Sequence, residues 1–250
     1  MLKFEDVTFA YAGAEQPVIR DLSFSVERGS FVSLIGASGS GKSTIFRLLN
    51  SLEDLQKGHI TMDGADIHTL KSYCSYMPQR DLLFPWRTVE KNVMLPMQVK
   101  KLPKEQQRKA AMEMLERVGL AEWAGKYPRE LSGGMRQRVS FARTLCGGSD
   151  LLLLDEPFSA LDSITRISLQ EWLREQWDSL DKTILFITHD VEEAIFLSEK
   201  IYVLSGKPVT GLLEFTVPLP EKRDRDMLLQ PEIQALKEQL VNLLRSEAAE

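Results

Sequence analysis

Apolar and polar positions alternate at the start of the chain, at Leu2 and Phe4, then Val7 and Phe9, then Leu22, Phe24 and Val26, which run into the turn Glu27-Arg28-Gly29. A period of two predicts strands with one buried face. Stretches 59–62 and 73–77 predict a further strand pair, separated by the turn-forming Asp63-Gly64. Three runs at 31–35, 151–155 and 183–188 are apolar almost throughout, as strands buried on both faces of a parallel sheet are. Each is followed by a segment able to form a helix, the rhythm of an α/β domain. Helical spacing marks 103–118, where Ala111, Leu115 and Val118 share a face before Gly119, and Lys126-Tyr127-Pro128 then reads as a loop. A second helix is predicted over 231–244, with Ile233, Leu236, Leu240, Leu243 and Leu244 on one face packed against its own domain. No repeat or low-complexity linker interrupts the pattern.

Composition narrows the partners. With 250 residues, 43% hydrophobic and 27% charged, the chain has material for one large α/β domain or one domain with smaller lobes. A net charge of −5, from 31 basic and 36 acidic residues, argues against a nucleic-acid-coating surface, so no nucleic-acid partner is expected. Cys74 and Cys146 form neither a metal-spaced cluster nor a secreted-type framework and read as small core residues in a reducing, cytoplasmic setting. The N-terminus MLKFEDVTFAY lacks the layout of a signal peptide, and no apolar run approaches the roughly 18 residues of a spanning helix. Work at a membrane would therefore need another chain to do the spanning.

The chemistry begins at 36–44, GASGSGKST, which fits the phosphate-loop pattern G-x-x-x-x-G-K-[ST]. It follows the buried run 31–35 and opens a helix through Ile45, Phe46, Leu48 and Leu49. Gly36, Gly39 and Gly41 allow a tight loop whose N–H groups, with those of Ala37, Ser38, Ser40 and Thr44, face phosphate oxygens. Lys42 is placed to reach the β- and γ-phosphates, and the Ser43 hydroxyl to bind Mg²⁺. Run 151–155 ends in two acids. Asp155 fits the metal-side acid of such sites, and Glu156 a general base or water-positioning carboxylate. Gln79, after Pro78 at a strand end, could contact Mg²⁺ or the water. His189 follows the run 183–188, at the sheet edge where open α/β sheets bind ligands. His59 and His68 read as surface or turn residues.

A second stretch, LSGGMRQRV at 131–139, offers Ser132, Gly133 and Gly134 at the head of a helix. It looks like half of a phosphate site, because no acid, metal cluster or cysteine lies beside it to do chemistry.

Taken in order, these pieces resemble the ATP-binding subunit of ABC transporters over nearly the whole chain. LSGGMRQRV is similar to that family's signature, Tyr11 to its adenine-stacking aromatic, GASGSGKST to Walker A and Gln79 to the Q-loop. LLLLDE is similar to Walker B, SALD at 159–162 to the D-loop with Asp162, and His189 to the switch histidine. The resemblance implies an α/β P-loop NTPase core with an N-terminal antiparallel β subdomain and an α-helical signature subdomain. The lobes implied are 1–80 with 147–220 for the core, 81–146 for the helical subdomain and 221–250 for a C-terminal helical extension. It implies ATP and Mg²⁺ as ligands and a head-to-tail homodimer in which Ser132, Gly133 and Gly134 serve the partner's ATP. The half-site then has its other half on a second copy.

The finer resemblance is to importers of nitrate, sulfonate, taurine and thiamine precursors. LFPWRTVEKNV at 83–93, GGMRQRVSFARTL, DEPFSALD and PLPEKRDRD carry it, with Phe84 where the group usually has a second leucine. This implies that Leu83, Phe84 and Trp86 help form a groove for a membrane permease at the cytoplasmic face of the membrane, served outside by a solute-binding protein. For Trp86 the residue type alone leaves ordinary core packing open. The tail is too short for an added regulatory domain. A soluble ABC ATPase acting as a scaffold in assembly or cell division shares every nucleotide motif, and the 83–93 stretch is what favours the importer. The solute stays open among nitrate, alkanesulfonate, taurine and a pyrimidine precursor.

Overall fold

In the computed structural model, which describes residues 1–180 and 182–249, the chain runs β1 (Leu2–Phe9), β2 (Ile19–Val26), β3 (Phe31–Ile35), α1 (Lys42–Leu49), β4 (Lys57–Met62), β5 (Ala65–Asp66) and β6 (Cys74–Met77). It continues α2 (Val89–Val93), α3 (Leu95–Val99), α4 (Lys104–Arg117), α5 (Gly133–Leu145), β7 (Leu151–Asp155), α6 (Ser163–Leu180), β8 (Thr183–Ile187), α7 (Val191–Leu197), β9 (Lys200–Ser205), β10 (Gly211–Thr216) and α8 (Pro231–Ala249). Two units share these elements, Met1–Tyr73 with Leu173–Glu250, and Cys74–Trp172.

In the first unit β1 is the centre of an antiparallel sheet ordered β2-β1-β4-β5. The apolar parity of β1 changes from even (Leu2, Phe4) to odd (Val7, Phe9), and the ladder with β2 shifts register between Phe4 and Val7. Asp6 sits there at φ 50 with its N–H on Ser23 Oγ at 2.8 Å, so an extra residue is absorbed and both halves of the strand keep their apolar face inward. Beside it, β3 pairs parallel with β8 and β9, while β10 pairs antiparallel with β9. Every residue of β3 and β8 is buried, as their unbroken apolar runs predicted. Phe31 packs at 5.9 Å from Phe186 and 6.1 Å from Trp177. Helix α8 buries Ile233 and Leu240 and runs past the predicted end at 244. Arg223 donates to the carbonyls of Ile195, Phe196 and Ser198, satisfying the C-terminal end of α7.

The second unit contains the parallel pair β6–β7 and helices α2 to α5. The pairing expected between 59–62 and 73–77 is not what forms. The turn at Asp63-Gly64 returns β4 onto the short β5, and β6 pairs instead with the fully buried β7, Cys74 opposite Leu151 and Met77 opposite Leu154. A strand such as β7, apolar up to its terminal Asp155, buries both faces and so recruits a neighbour distant in sequence.

Candidate functional site

In the first unit the loop after β3 closes on the N-terminus of α1. Gly41 caps that helix at φ 91 with no side-chain cap, and the first turn holds no acid, so the N–H groups and the helix dipole are left to an anion. A Cβ on Gly36 would lie 2.7 Å from Ser40 Oγ, so the loop passes closely over itself there and a side chain would have to displace the Ser40 hydroxyl. The Lys42 ammonium folds back over the loop, donating to the carbonyls of Gly36 and Ala37, both at 2.8 Å. Ser43 is exposed beside it. The Tyr11 hydroxyl meets Thr44 Oγ1 at 3.1 Å, its ring lies edge-on to Phe9 at 5.0 Å, and the Arg47 guanidinium stands 6.0 Å from its centroid. That leaves a half-exposed aromatic platform tied directly to the phosphate loop. Pairing of Leu34 with Ile187 brings His189 to the same strand end as the loop. His189 is exposed and flanked by fixed residues. Thr188 bonds the Glu193 carboxylate and receives the Asp190 N–H at 3.0 Å, and Asp190 caps α7 through Glu192 and Glu193 N–H.

In the second unit the Gln79 amide donates to Glu156 Oε2 at 3.1 Å. Glu156 occupies the left-handed region at φ 48, a costly conformation for a non-glycine residue that turns its side chain off the end of β7. Asp155 is buried, with the Tyr76 hydroxyl 3.5 Å from Oδ2. Gln137, which sequence reasoning missed, holds the turn that follows. Its amide donates to Glu156 O at 3.0 Å and Ser159 Oγ at 3.3 Å, and its carbonyl accepts the Ala160 N–H at 2.7 Å. Ser132 caps α5 by accepting the Met135 N–H at 3.2 Å, and Gly133 begins the helix. A Cβ on Gly134 would stand 3.2 Å from Ala160 O, so helix α5 rests directly on the 159–162 turn. Asp162 accepts the Thr165 N–H at 3.0 Å, and those backbone N–H groups hold its carboxyl below the usual carboxylate range.

The loop between Gln79 and α2 is fastened from two sides. Arg143 donates to the carbonyls of Asp81 and Leu82 at 2.7 and 2.9 Å, and Arg136 Nε meets Asp81 Oδ2 at 3.0 Å. Burial pushes the Arg143 guanidinium below its ordinary value, and Asp81 partly restores it. The fully buried Asn92, also missed, accepts Phe84 N–H at 2.8 Å and donates to the carbonyls of Phe84, Arg87 and Thr88 at 3.1 to 3.2 Å. Of the three residues expected in a permease groove, Leu83 is buried beneath the loop, where it anchors instead of facing outward. Phe84 is half-buried and packs on Trp86 at 5.2 Å. Trp86 is 71% exposed, which removes core packing as its role, and it lines an open groove of about 530 Å³ with Arg87, Glu90, Lys91, Met94 and Arg108.

Both cysteines are free, and burial pushes the Cys146 thiol up to about 12, which keeps it unreactive near neutrality. Among the described residues no group of three or more His, Cys, Asp or Glu could hold a metal ion, and no helix is long and apolar enough to cross a membrane. In the first unit the exposed Ser43 hydroxyl, and in the second the buried Asp155 carboxylate, are each oxygen donors of the hard type that Mg²⁺ takes.

Residues 19–159 match the family described as ABC transporter. The chain is 39% identical over 250 residues to the formylaminopyrimidine import ATP-binding protein ThiZ of Halalkalibacterium halodurans, covering 99% of this chain and 98% of that one. It is 37% identical over 257 residues to the nitrate import ATP-binding protein NrtD of Synechocystis sp., covering 100% and 97%. Among solved structures, a dimeric post-hydrolysis state of the ATP-binding cassette MJ0796 bound to ADP and Pi superposes with a TM-score of 0.79 at 30% identity, covering 88% of this chain and 100% of that one.

Proposed function

From the premise that the chain belongs to the ABC transporter family and is an ATP hydrolase of that kind, we propose that it is the motor subunit of a membrane importer for a small solute. The observation that carries this is the reach of one loop. At one end Gln79 touches Glu156 at 3.1 Å, and at the other Trp86 stands exposed in a groove. A soluble scaffold needs the first contact but not an outward tryptophan wired to it. The solute belongs to the nitrate, sulfonate, taurine or thiamine-precursor class, in keeping with relatives named for nitrate and formylaminopyrimidine import.

In this reading Lys42 and the loop N–H groups of 36–44 hold the ATP phosphates and Tyr11 stacks on adenine. Ser43, Asp155 and Gln79 are the groups that serve Mg²⁺, which when bound offsets charge on the phosphates. Glu156 receives the proton of the attacking water, and His189 orients the γ-phosphate end. Ser132 with the Gly133 and Gly134 N–H groups serves ATP held by a second copy, and Asp162 sits at that junction. Charge-assisted hydrogen bonds of roughly 1.5–3 kcal/mol each then favour the closed dimer only while a γ-phosphate bridges it. Hydrolysis removes that differential affinity, and the alternation drives permease subunits and their solute-binding protein. The chain works peripherally, at the cytoplasmic face.

The test is purification of the chain from its native membranes in mild detergent, with partners identified by mass spectrometry. A multi-helix permease that is lost on Trp86→Ala supports the importer. A soluble assembly complex in its place contradicts it.

A further inference from the structure

The turn from α3 to α4 borders the Trp86 groove, whose lining includes Gln98 on one side of it and Lys104 on the other. It is built as a firm knuckle. Lys101 adopts φ 56, its N–H bonds Gln98 O at 3.0 Å, the Leu102 N–H bonds Met97 O at 3.1 Å, and the Gln107 amide donates to Leu102 O at 2.6 Å. Folding this way turns two aliphatic side chains outward, Val99 at 72% exposure and Leu102 at 40%. Exposed Lys100 and Lys101 share the turn and exposed Lys104 opens α4, with exposed Lys109 further along that helix, and none of the four has an ion-pair partner among the described residues. Arg108 adds a fifth cation, bonded through Nε to Glu90 at 3.0 Å. Residues 99–109 thus set five basic side chains against Glu105 alone, in a chain whose net charge is −5.

Resting on the membrane-docked reading above, we propose that this knuckle is a second contact, made with anionic lipid headgroups beside the permease. The chemistry selects lipid over protein. The knuckle itself carries Val99, Lys100, Lys101 and Leu102, all exposed, while Lys104 and Arg108 also line the neighbouring groove. Its cations are mostly lysines, point charges suited to a field of phosphates, not planar forks suited to paired carboxylates. Its aliphatic groups stand singly between those lysines, so that Val99 and Leu102 can enter the headgroup boundary while the lysine stems lie along it. The contact would orient the subunit so that Trp86 and its groove face the bilayer side.

The experiment is flotation of the purified chain with vesicles of phosphatidylcholine alone or mixed with phosphatidylglycerol. It is run at about 50 mM and about 300 mM salt, concentrations that span strong and weak screening. The expected result is binding to the anionic vesicles about tenfold or more above the neutral ones, falling at the higher salt. K100E/K101E should lower it by about tenfold or more while leaving ATP hydrolysis in solution unchanged, since each cation near such a surface contributes appreciably. V99S/L102S should weaken it further at high salt than at low salt. Equal binding to both vesicle types, or K100E/K101E binding as the wild type does, overturns the proposal. No permease is present in the assay, so its failure is distinct from that of the importer reading. Loss of permease on W86A with vesicle binding intact leaves the knuckle standing.

Discussion

The Gln79 side-chain amide donates to the Glu156 carboxylate at 3.1 Å, although the two lie 77 positions apart in the chain. Gln79 begins a loop fastened to helix α5 through Arg136 and Arg143, and Glu156 begins a turn fastened to the same helix through Gln137. Helix α5 therefore holds both ends of the contact. A displacement of the loop around Trp86 has a short covalent and hydrogen-bonded path to the carboxylate assigned to the water, and to Ser132 at the head of the helix.

Gln137 is the residue whose loss should uncouple this arrangement with least disturbance elsewhere. In Gln137→Ala the Ala160 N–H and the Glu156 carbonyl lose a buried partner, a cost of about 1–3 kcal/mol. ATP hydrolysis should fall by roughly tenfold to a hundredfold through misplacement of Glu156, with ATP affinity within about twofold of wild type. Steady-state hydrolysis and equilibrium nucleotide binding on the same preparation check the split. An unchanged turnover would deny Gln137 a positioning role.

Asn92 carries a structural prediction with a functional readout. Its side chain satisfies four backbone groups of the 84–88 loop while fully buried. Asn92→Ala should lower stability by on the order of 3 kcal/mol and reduce permease recovery, while hydrolysis in solution is retained below the melting transition. Chemical denaturation followed by the detergent pull-down measures both. Asn92→Asp keeps the acceptor for the Phe84 N–H but sets a carboxylate oxygen against three carbonyls in a buried site, so it should destabilise at least as much as Asn92→Ala.

Asp162 predicts a pH dependence. The Thr165 N–H lowers its folded pKa below the unfolded value near 3.8, so its contribution is fully present above the unfolded value and lost as pH falls through the folded one. The gap in thermal midpoint between wild type and Asp162→Ala should therefore be constant from pH 7 to about pH 5 and close under more acid conditions. A gap that instead closes as pH rises would show that the carboxylate is not the capping form.

What the sequence made legible is local. The 36–44 loop could be read because its backbone demands glycines at set positions and a lysine at a set reach, all within one strand-turn-helix. The buried runs of β3, β7 and β8 could be read because burial on both faces keeps them almost wholly apolar, with only Ser33, Asp155 and Thr183 as polar positions. The partner of β6 could not, since Asp63-Gly64 is a genuine turn signal whose hairpin ends two residues later in β5. Strands β9 and β10 were not anticipated, though Lys200–Ser205 has the same buried character as the three runs that were. Gln137 and Asn92 lie inside the 131–139 and 83–93 stretches, yet nothing in their residue type marks them out there. A single amide is ordinary in sequence and becomes decisive only when folding buries it among backbone groups. Leu83 and Trp86 sit three positions apart in one motif, and only the turn of the loop sends one inward and the other out.

In the proposed mechanism a γ-phosphate, held between the phosphate loop of one copy and Ser132 of another, closes a two-state clamp. The most direct measurement is light scattering on a sizing column of Glu156→Gln with and without ATP, since that change keeps the shape of the carboxylate while removing its basicity. The expected result is a monomer of 28.4 kDa without nucleotide and a species of twice that mass with ATP. The larger species should be abolished by adding Ser132→Arg, with ATP binding retained. A Glu156→Gln chain that stays at 28.4 kDa in saturating ATP, or one that dimerises equally well with Ser132→Arg, would contradict it.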